Sequence, residues 1–370
     1  MKQLPRLYKT SATGATQIID MVIEGDSYTR SWGQLDGKMQ TKATTAIGKN
    51  IGRSNETSPE AQALLEAEAV WTKKQKANYS TSQEAPVTVK LPMKVNEYQK
   101  HLKKIAAKVY TSPKLNGVNA EYRLVGGVLK LLSRGGEEYP IPPHQYDEAL
   151  ALLQLLGTNS INGEQYIHGE YLQDIMAAVK KPNDMTPSLK FHVFDFPEVE
   201  GDYTTRCSTM YAKNDASTVS TPNFPFVPVW IANSPEEIDD QYNQCMDAGY
   251  EGLMVRNPTG LYEYNKRSLS VFKYKKTMDA EFEVKSFDTD KNGHAVFHCY
   301  VSNIHVGDKC TFKVKLKGTN EERLEMAANA KDYIGKFLKV EYEMLSKDKI
   351  PLKPVGIMFR AVDANGEAVE

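Results

Sequence analysis

The chain has little that would staple it, anchor it or charge it. Only four of its 370 residues are cysteine (Cys207, Cys245, Cys299 and Cys310), and no two form a C-x-x-C pair. That scatter argues against a disulfide framework or a structural zinc site and for free thiols in a reducing compartment. No stretch approaches the ~20 apolar residues of a membrane span. The opening Met1-Lys2-Gln3-Leu4-Pro5-Arg6 leads into polar residues, with no apolar run of a secretory signal. A cytoplasmic location with no membrane partner is expected, and the chain is read as a monomer. Net charge is nearly absent too, 46 Lys+Arg against 47 Asp+Glu. No global field draws in a polyanion, so a nucleic-acid partner depends on local patches. Internal repeats and low-complexity tracts are not seen.

What is present is ordinary for a globular protein: 41% hydrophobic and 25% charged residues. At roughly 150 residues per domain, the length predicts two or three domains. Residues 1–80 read as a small β-rich unit. The strand-like Ile18–Glu24 is followed by a turn at Gly25-Asp26, then Ser27–Gln34 and a second turn at Asp36-Gly37. A helix is expected from Pro59 to Asn78, with Ser58 as cap and Ala63, Ala67, Val70 and Trp71 on one face. Residues 81–89 read as a linker. A second helix is expected over 96–108, with Tyr98, Leu102, Ile105 and Val109 as its stripe. Around it, residues 90–114 carry seven Lys against one Glu, net +6. Such a run is either a solvated face or a footprint for an anionic partner.

Residues 90–280 alternate β-type runs with short helices, as an α+β domain does. From 281 to 370 the pattern changes. Lys291-Asn292-Gly293 marks a hairpin. Lys309, Lys313, Lys315 and Lys317 alternate with Cys310, Phe312, Val314 and Leu316, which puts the lysines on one strand face. Phe337–Met344 alternates likewise, with Leu338, Val340, Tyr342 and Met344 inward. A short β-barrel is the economical reading.

Five segments carry the chemistry. In Ser112-Pro113-Lys114-Leu115-Asn116-Gly117 a lysine stands in a strand-to-loop turn, either a plain surface turn or a nucleophile activated by neighbouring cations. Ser133-Arg134-Gly135-Gly136 presents an Arg from a strand end into a glycine loop, a geometry suited to phosphate or ribose. His168-Gly169-Glu170-Tyr171-Leu172 supplies a carboxylate, and Phe191–Phe196 is an aromatic strand whose Phe191 and Phe196 read as core. Glu251–Arg256 opens an apolar strand with a Glu and closes it with an Arg. Lys266–Lys276 holds five cations and no acid, with Lys273 and Lys275 on one strand face. Lysines on one face with carboxylates elsewhere match what a triphosphate and its Mg²⁺ need.

Taken together and in order, these segments resemble the covalent nucleotidyltransferases, specifically the compact phage-type ATP-dependent DNA ligases. Lys114-Leu115-Asn116-Gly117 is similar to the family's Lys-x-Asp-Gly, Ser133–Gly136 to Ser-Arg-x-Gly, and His168–Tyr171 to Asp-Gly-Glu-Leu. Phe194 lies in a Val-Phe-Asp element. Glu251–Arg256 matches Glu-Gly-Leu-Met-Val-Arg, and Lys273 with Lys275 matches Lys-x-Lys. The resemblance covers about residues 90–362 and implies an ATP-grasp-like adenylation core of two antiparallel sheets with helices, followed by an OB-fold. Tyr28–Gln40, containing Trp32-Gly33-Gln34, resembles a WGR domain, a DNA-end-binding module, although Gln34 replaces the third signature letter. The domains implied are 1–80 WGR-like, 90–280 nucleotidyltransferase and 281–370 OB-fold.

The resemblance also implies roles. Lys114 attacks the α-phosphorus of ATP to form a lysyl-adenylate, helped by Lys273 and Lys275. Ser112, Leu115, Arg134, Glu170, Phe194 and Glu251 surround the nucleotide; Glu170 and Glu251 hold Mg²⁺, and Phe194 stacks on the purine. Trp32, Asn116, Asn119, Arg123, Lys309, Lys313, Lys315 and Lys317 meet nicked or broken duplex DNA. For a viral or phage enzyme the compartment is the host cytoplasm, by the nucleoid. Two positions depart from the family pattern. Asn116 replaces the usual Asp, and Asn119 the usual Arg, whose role passes to Arg123 or lapses. Asn116 keeps an RNA ligase open as an alternative; a nucleic-acid-binding protein with a decayed transferase core is the other.

Overall fold

The computed structural model describes residues 1–10, 15–75, 77, 79–82, 90–216, 219–301 and 311–360. The chain divides into two compact units, 1–92 with 132–138, and 93–131 with 139–370. Most of the expected linker, residues 83–89, lies outside the described residues.

In the first unit four strands form an antiparallel meander in chain order: β1 (Lys2–Thr10), β2 (Thr16–Glu24), β3 (Ser27–Gln34) and β4 (Met39–Thr45). Helix α1 (Pro59–Gln75) covers one face, and the Ser58 hydroxyl accepts from the Ala61 N–H at 3.2 Å. Met21 and Ile23 of β2 meet Ala63 and Ala67 of α1 in its core. The expected end at Asn78 lies outside the described residues.

The second unit holds two five-stranded sheets and a barrel. One sheet runs β11 (Lys190–Asp195), β10 (Ser160–Tyr166), β7 (Val118–Val125), β8 (Val128–Ser133), β9 (Glu138–Tyr139). Helix α2 (Tyr146–Leu156) and α4 (Tyr203–Asp215) cover it, with Tyr122, Leu131, Leu152, Phe191 and Met210 in the shared core. Helix α3 (Leu172–Lys180) packs Ile175, Ala178 and Val179 into a further cluster with Leu115 and Val118. The other sheet runs β12 (Trp230–Ala232), β6 (Val109–Lys114), β13 (Gly252–Arg256), β14 (Arg267–Tyr274), β5 (Lys94–Glu97). Helix α5 (Pro235–Asp247) buries Ile238, Tyr242 and Cys245 against it. This sheet is not purely antiparallel, because β5 pairs parallel with β14.

That pairing also removes the helix expected over 96–108. The segment is β5 followed by two single 3-10 turns, Tyr98–Lys100 and Leu102–Lys104. Asn96 Nδ2 donates to the Ser268 carbonyl at 2.6 Å, and Tyr98 stacks on Tyr274 at 4.7 Å. Of the supposed stripe Tyr98 and Val109 are buried, but Leu102 is exposed. Tertiary pairing outweighs a weak local propensity here. The lysines of the segment at 103, 104 and 108 are exposed.

Residues from Met278 onward close a five-stranded barrel in the order β15 (Met278–Thr289), β16 (Ala295–Tyr300), β17 (Thr311–Leu316), β21 (Val355–Arg360), β18 (Phe337–Tyr342). Its interior is Val284, Phe297, Cys299, Val314, Leu338 and Val340. Helix α6 (Asn320–Ala328) starts with a full capping box between Thr319 and Glu322. A short ribbon of β19 (Met344–Leu345) and β20 (Pro351–Leu352) follows β18. Met344 therefore sits in this ribbon rather than continuing the inward row of β18.

The two sheets of the second unit are joined by a buried ionic network. Asp195, the last residue of β11, accepts from Arg206 Nε of α4 at 2.8 Å and from a terminal nitrogen of Arg256, the last residue of β13, at 2.9 Å. Arg206 also donates to the carbonyls of Gly201 and Gly260. Arg206→Ala leaves Asp195 and two carbonyls short of donors. It is expected to cost about 3–5 kcal/mol, read as a lower denaturant midpoint for the second unit's transition.

Candidate active site

Strand β6 ends on Lys114, and its pairing with β13 sets Lys114 opposite Gly252. The Glu251 N–H donates to the Lys114 carbonyl at 3.0 Å. Gly252 has φ +154°, and a Cβ there would lie 2.4 Å from the Tyr274 carbonyl oxygen, so this crossing of three strands admits only glycine. The result is that Glu251, directly before β13, stands beside the nucleophile candidate. Its carboxylate accepts from Lys114 Nζ on one oxygen and from Lys275 Nζ on the other, at 2.6 Å. Burial pushes the Glu251 carboxyl up, but the charges of Lys114 and Lys275 outweigh it and hold it below the usual glutamate value. The Lys114 amine thus meets a carboxylate and, beyond it, an ammonium, rather than two bare ammonium groups.

Lys273 lies within β14 and Lys275 one residue past its end. They take different partners: Lys273 Nζ is 4.0 Å from Glu97, while Lys275 bonds Glu251 and also Glu343 at 3.0 Å. Burial lowers the Lys273 amine below the ordinary lysine value, against the pull of Glu343 and Glu97.

After Lys114 the chain turns sharply into β7. Gly117 lies so close to β10 that a Cβ would sit 2.4 Å from the Gln165 carbonyl oxygen and 2.8 Å from Glu164 Cγ. The Gly117 N–H donates to Glu164 Oε1 at 3.2 Å. Register places Asn119 of β7, Glu164 of β10 and His192 of β11 in one row across the sheet. Asn119 Oδ1 is buried without a hydrogen-bond partner. Burial, with Lys190 and His168, pushes the His192 ring down to about 4, so it is neutral in ordinary buffers. Next along β11 the register slips: Asn162 pairs with Asp195 and Gly163 with Val193, leaving Phe194 at a bulge. Bulges re-aim side chains beside active sites. Phe194 is half-buried against the cluster containing Leu115, with the Arg256 guanidinium 5.7 Å from its ring centre.

Glu164 was not among the residues singled out from sequence. The segment contains two Gly-Glu pairs, Gly163-Glu164 and Gly169-Glu170, six residues apart. The first lies within the strand beside the Lys114 turn; the second follows it, and Glu170 is exposed. Strand periodicity was the signal that distinguishes them.

The remaining predicted residues are placed as follows. Ser112 and Leu115 are buried on either side of Lys114. Asn116 Nδ2 donates to Met344 Sδ at 3.7 Å. Arg123 is engaged by Glu121, whose carboxylate also accepts from Ser160. Arg134 is exposed in the stretch that groups with the first unit, in a loop closed by the Ser133 hydroxyl, which accepts from the Gly135 and Glu137 N–H groups. In the first unit the Arg30 guanidinium lies 4.3 Å over the half-buried Trp32 ring. On the barrel Lys313 pairs with Asp288 at 2.8 Å and Lys315 with Asp290 at 2.7 Å, while Lys317 is exposed. Lys309 and Cys310 lie outside the described residues. Among the described residues, no group of three or more His, Cys, Asp or Glu forms a ready metal cage.

Residues 90–275 match the family described as ATP dependent DNA ligase domain. The chain is 25% identical to a DNA ligase of Pyrobaculum islandicum over 209 residues, 53% of this chain and 36% of that protein. It is 25% identical to a DNA ligase of Enterobacteria phage T4 over 165 residues, 41% of this chain and 34% of that one. A DNA ligase of African swine fever virus is 28% identical over 360 residues, 88% of this chain and 81% of that one. The chain thus spans about a third of the length of the first two relatives. In fold it resembles a structure from a study of Lig E DNA ligases, with a TM-score of 0.60 at 20% identity, covering 74% of this chain and 100% of that one. It also resembles the structure titled Pmar-Lig_PreS3, with a TM-score of 0.64 at 18% identity, covering 82% and 73%. By a match that spans half its length, the chain belongs to the ATP dependent DNA ligase domain family.

Proposed function

We propose that this chain is an ATP-dependent DNA ligase that seals a 5′-phosphate to a 3′-hydroxyl in duplex DNA. The observation that carries the reading is Glu251 joining Lys114 to Lys275 at the mouth of three paired strands. In the first step the Lys114 amine, having lost its proton, attacks the α-phosphorus of ATP. A nitrogen–phosphorus bond forms, the bond to the bridging oxygen breaks, and pyrophosphate leaves. AMP then passes to the 5′-phosphate of a break, and the 3′-hydroxyl displaces it. Lys273 and Lys275 neutralise charge that grows on the phosphates.

Phe194 supplies the purine platform, an interaction worth ~1–3 kcal/mol for base–aromatic pairs. Glu164, on the row against Gly117, is better placed for the ribose than the exposed Glu170, and Asn119 offers an unfilled acceptor beside it. Ser112 and Leu115 shape the wall. Mg²⁺ suits the donor set, since such ions take one or two carboxylates together with substrate phosphates. Glu251, facing the reacting amine, would hold it, with Glu170 as the second carboxylate, and the ion would offset phosphate charge.

We read the barrel as an OB-fold and the first unit as a WGR-like module, the domains running 1–80, 90–280 and 281–370. Trp32, Asn116, Lys313, Lys315 and Lys317 are the DNA contacts in this reading, with Arg134 on ribose or the nick phosphate and Arg123 held in reserve by Glu121. The chain acts as a monomer in the cytoplasm of a cell or host. No helix among the described residues is long and apolar enough to cross a membrane.

Incubation with α-labelled ATP and Mg²⁺ is expected to label the protein, and Lys114→Ala to abolish the label. Loss of a hydrogen bond to a charged group is worth ~1.5–3 kcal/mol. Glu164→Ala should therefore slow labelling roughly 10- to 100-fold, and Glu170→Ala much less. An unlabelled wild type, or equal labelling of Lys114→Ala, refutes the reading. Sealing of nicked DNA against nicked RNA duplexes at matched salt decides between the two ligase classes, a question that Asn116 keeps in play.

Stability should follow pH with a definite sign. Because the Glu251 carboxyl is held below its usual value of 4.5 in the folded protein, its contribution is present above about pH 4.5. It is lost as pH falls through the depressed value. The melting temperature of Glu251→Gln should lie below wild type near pH 7, and the gap should close below about pH 4.5.

A further inference from the structure

Glu343 follows directly after β18 and ends the barrel's approach to the lysines of the core. Lys275 Nζ donates to Glu343 Oε2 at 3.0 Å, and Lys353 Nζ reaches both carboxylate oxygens at 2.8 Å. Lys273 feels the same carboxylate electrostatically. Three lysines from two segments therefore face one anion, and one of them, Lys275, is the lysine that Glu251 links to Lys114. Burial raises the Glu343 carboxyl, but its bonds to Lys353 and Lys275 outweigh that and bring it down to about 2, so it is ionised in any working buffer.

We propose that Glu343 is a resident stand-in for a nucleotide phosphate, occupying the lysine cradle until the triphosphate of ATP displaces it. The inference rests on the reading of this site as an ATP site. A phosphate oxygen asks of Lys275 and Lys353 what the carboxylate now takes, and two anions a few ångströms apart in a half-buried site repel. Loading ATP therefore exchanges one anion for another. The exchange has a mechanical consequence, because the same short segment holds the core twice more: Met344 Sδ accepts from Asn116, and Lys347 pairs with Asp174 at 3.3 Å. Displacing Glu343 loosens residues 343–347 from the nucleophile loop. By reciprocity, whatever pulls that segment away favours nucleotide entry.

The test is Glu343→Gln, which keeps size but removes charge, with Glu343→Ala as a second variant. In self-labelling with α-labelled ATP, both should lower the KM for ATP about five-fold or more, the low end of typical coupling between competing sites, with the rate at saturating ATP unchanged or higher. In parallel, inorganic tripolyphosphate should raise the melting temperature of the variants more than that of wild type. An unchanged KM overturns the proposal. So does slower labelling at saturating ATP, which would make Glu343 an aligner of Lys275. If wild type takes no label at all, the ligase reading falls by itself. The tripolyphosphate melts then decide this inference alone, equal shifts overturning it.

Discussion

The geometry of the second unit depends on one buried carboxylate. Asp195 ends β11 in one sheet, Arg256 ends β13 in the other, and Arg206 approaches from α4. A buried carboxylate with one guanidinium would still be short of donors; with two it is satisfied, and the strand ends are fixed relative to each other. Both strands carry site residues within a few positions of this clamp. Phe194 directly precedes Asp195 on β11, and Glu251 stands immediately before β13. The network thus fixes β11, which carries Phe194, relative to β13, which Glu251 precedes. The register slip of β11 falls directly beside Asp195 and leaves Phe194 at the bulge, packed against the cluster of Leu115 and Val118.

At the other end of these strands the governing fact is charge pairing in a partly dry site. Glu251 bridges two lysines, and their charges hold it below the usual glutamate value. Glycine makes this possible twice over. Gly252 lets β13 cross close under Tyr274, and Gly117 lets the turn after Lys114 lie on β10. Neither position tolerates a Cβ, so the spacing between Lys114, Glu251 and Glu164 is set by backbone packing rather than by side-chain choice. Such preorganisation costs no rearrangement at the moment of reaction.

Much of this was legible before the structure, because it is periodic or punctuated. The alternation of Lys313 and Lys315 with Phe312, Val314 and Leu316 reads directly as one face out and one face in. Ser58-Pro59 marked the start of α1, and Lys291–Gly293 the barrel's first hairpin. What failed was local pattern meeting distant pairing. The stripe over 96–108 looks helical in isolation, yet β14, some 170 residues away, claims Asn96 through Ser268. The contact of Glu164 with the Lys114 turn was hidden for the same reason. Two Gly-Glu pairs are equal as letters, and only the position of the first inside β10 sets it against Gly117. Glu343 carried no sequence signal, since it meets Lys275 across 68 residues and through a barrel that must close first.

The near-zero net charge can now be read as a property of sites rather than of an average. Lys114 and Lys275 are matched by Glu251, Lys275 and Lys353 by Glu343, Lys273 by Glu97, Lys313 by Asp288, Lys315 by Asp290 and Lys347 by Asp174. Many cations of the kind that meet phosphate already hold an internal anion. Engaging a polyanion is then an exchange of carboxylate for phosphate, not the capture of phosphate by bare lysines. Each exchange returns less free energy than a new ion pair, because the displaced carboxylate must be solvated by water instead. A protein built this way is neutral pair by pair, and the densest of these pairings is the one around Lys275, which Glu251 and Glu343 share.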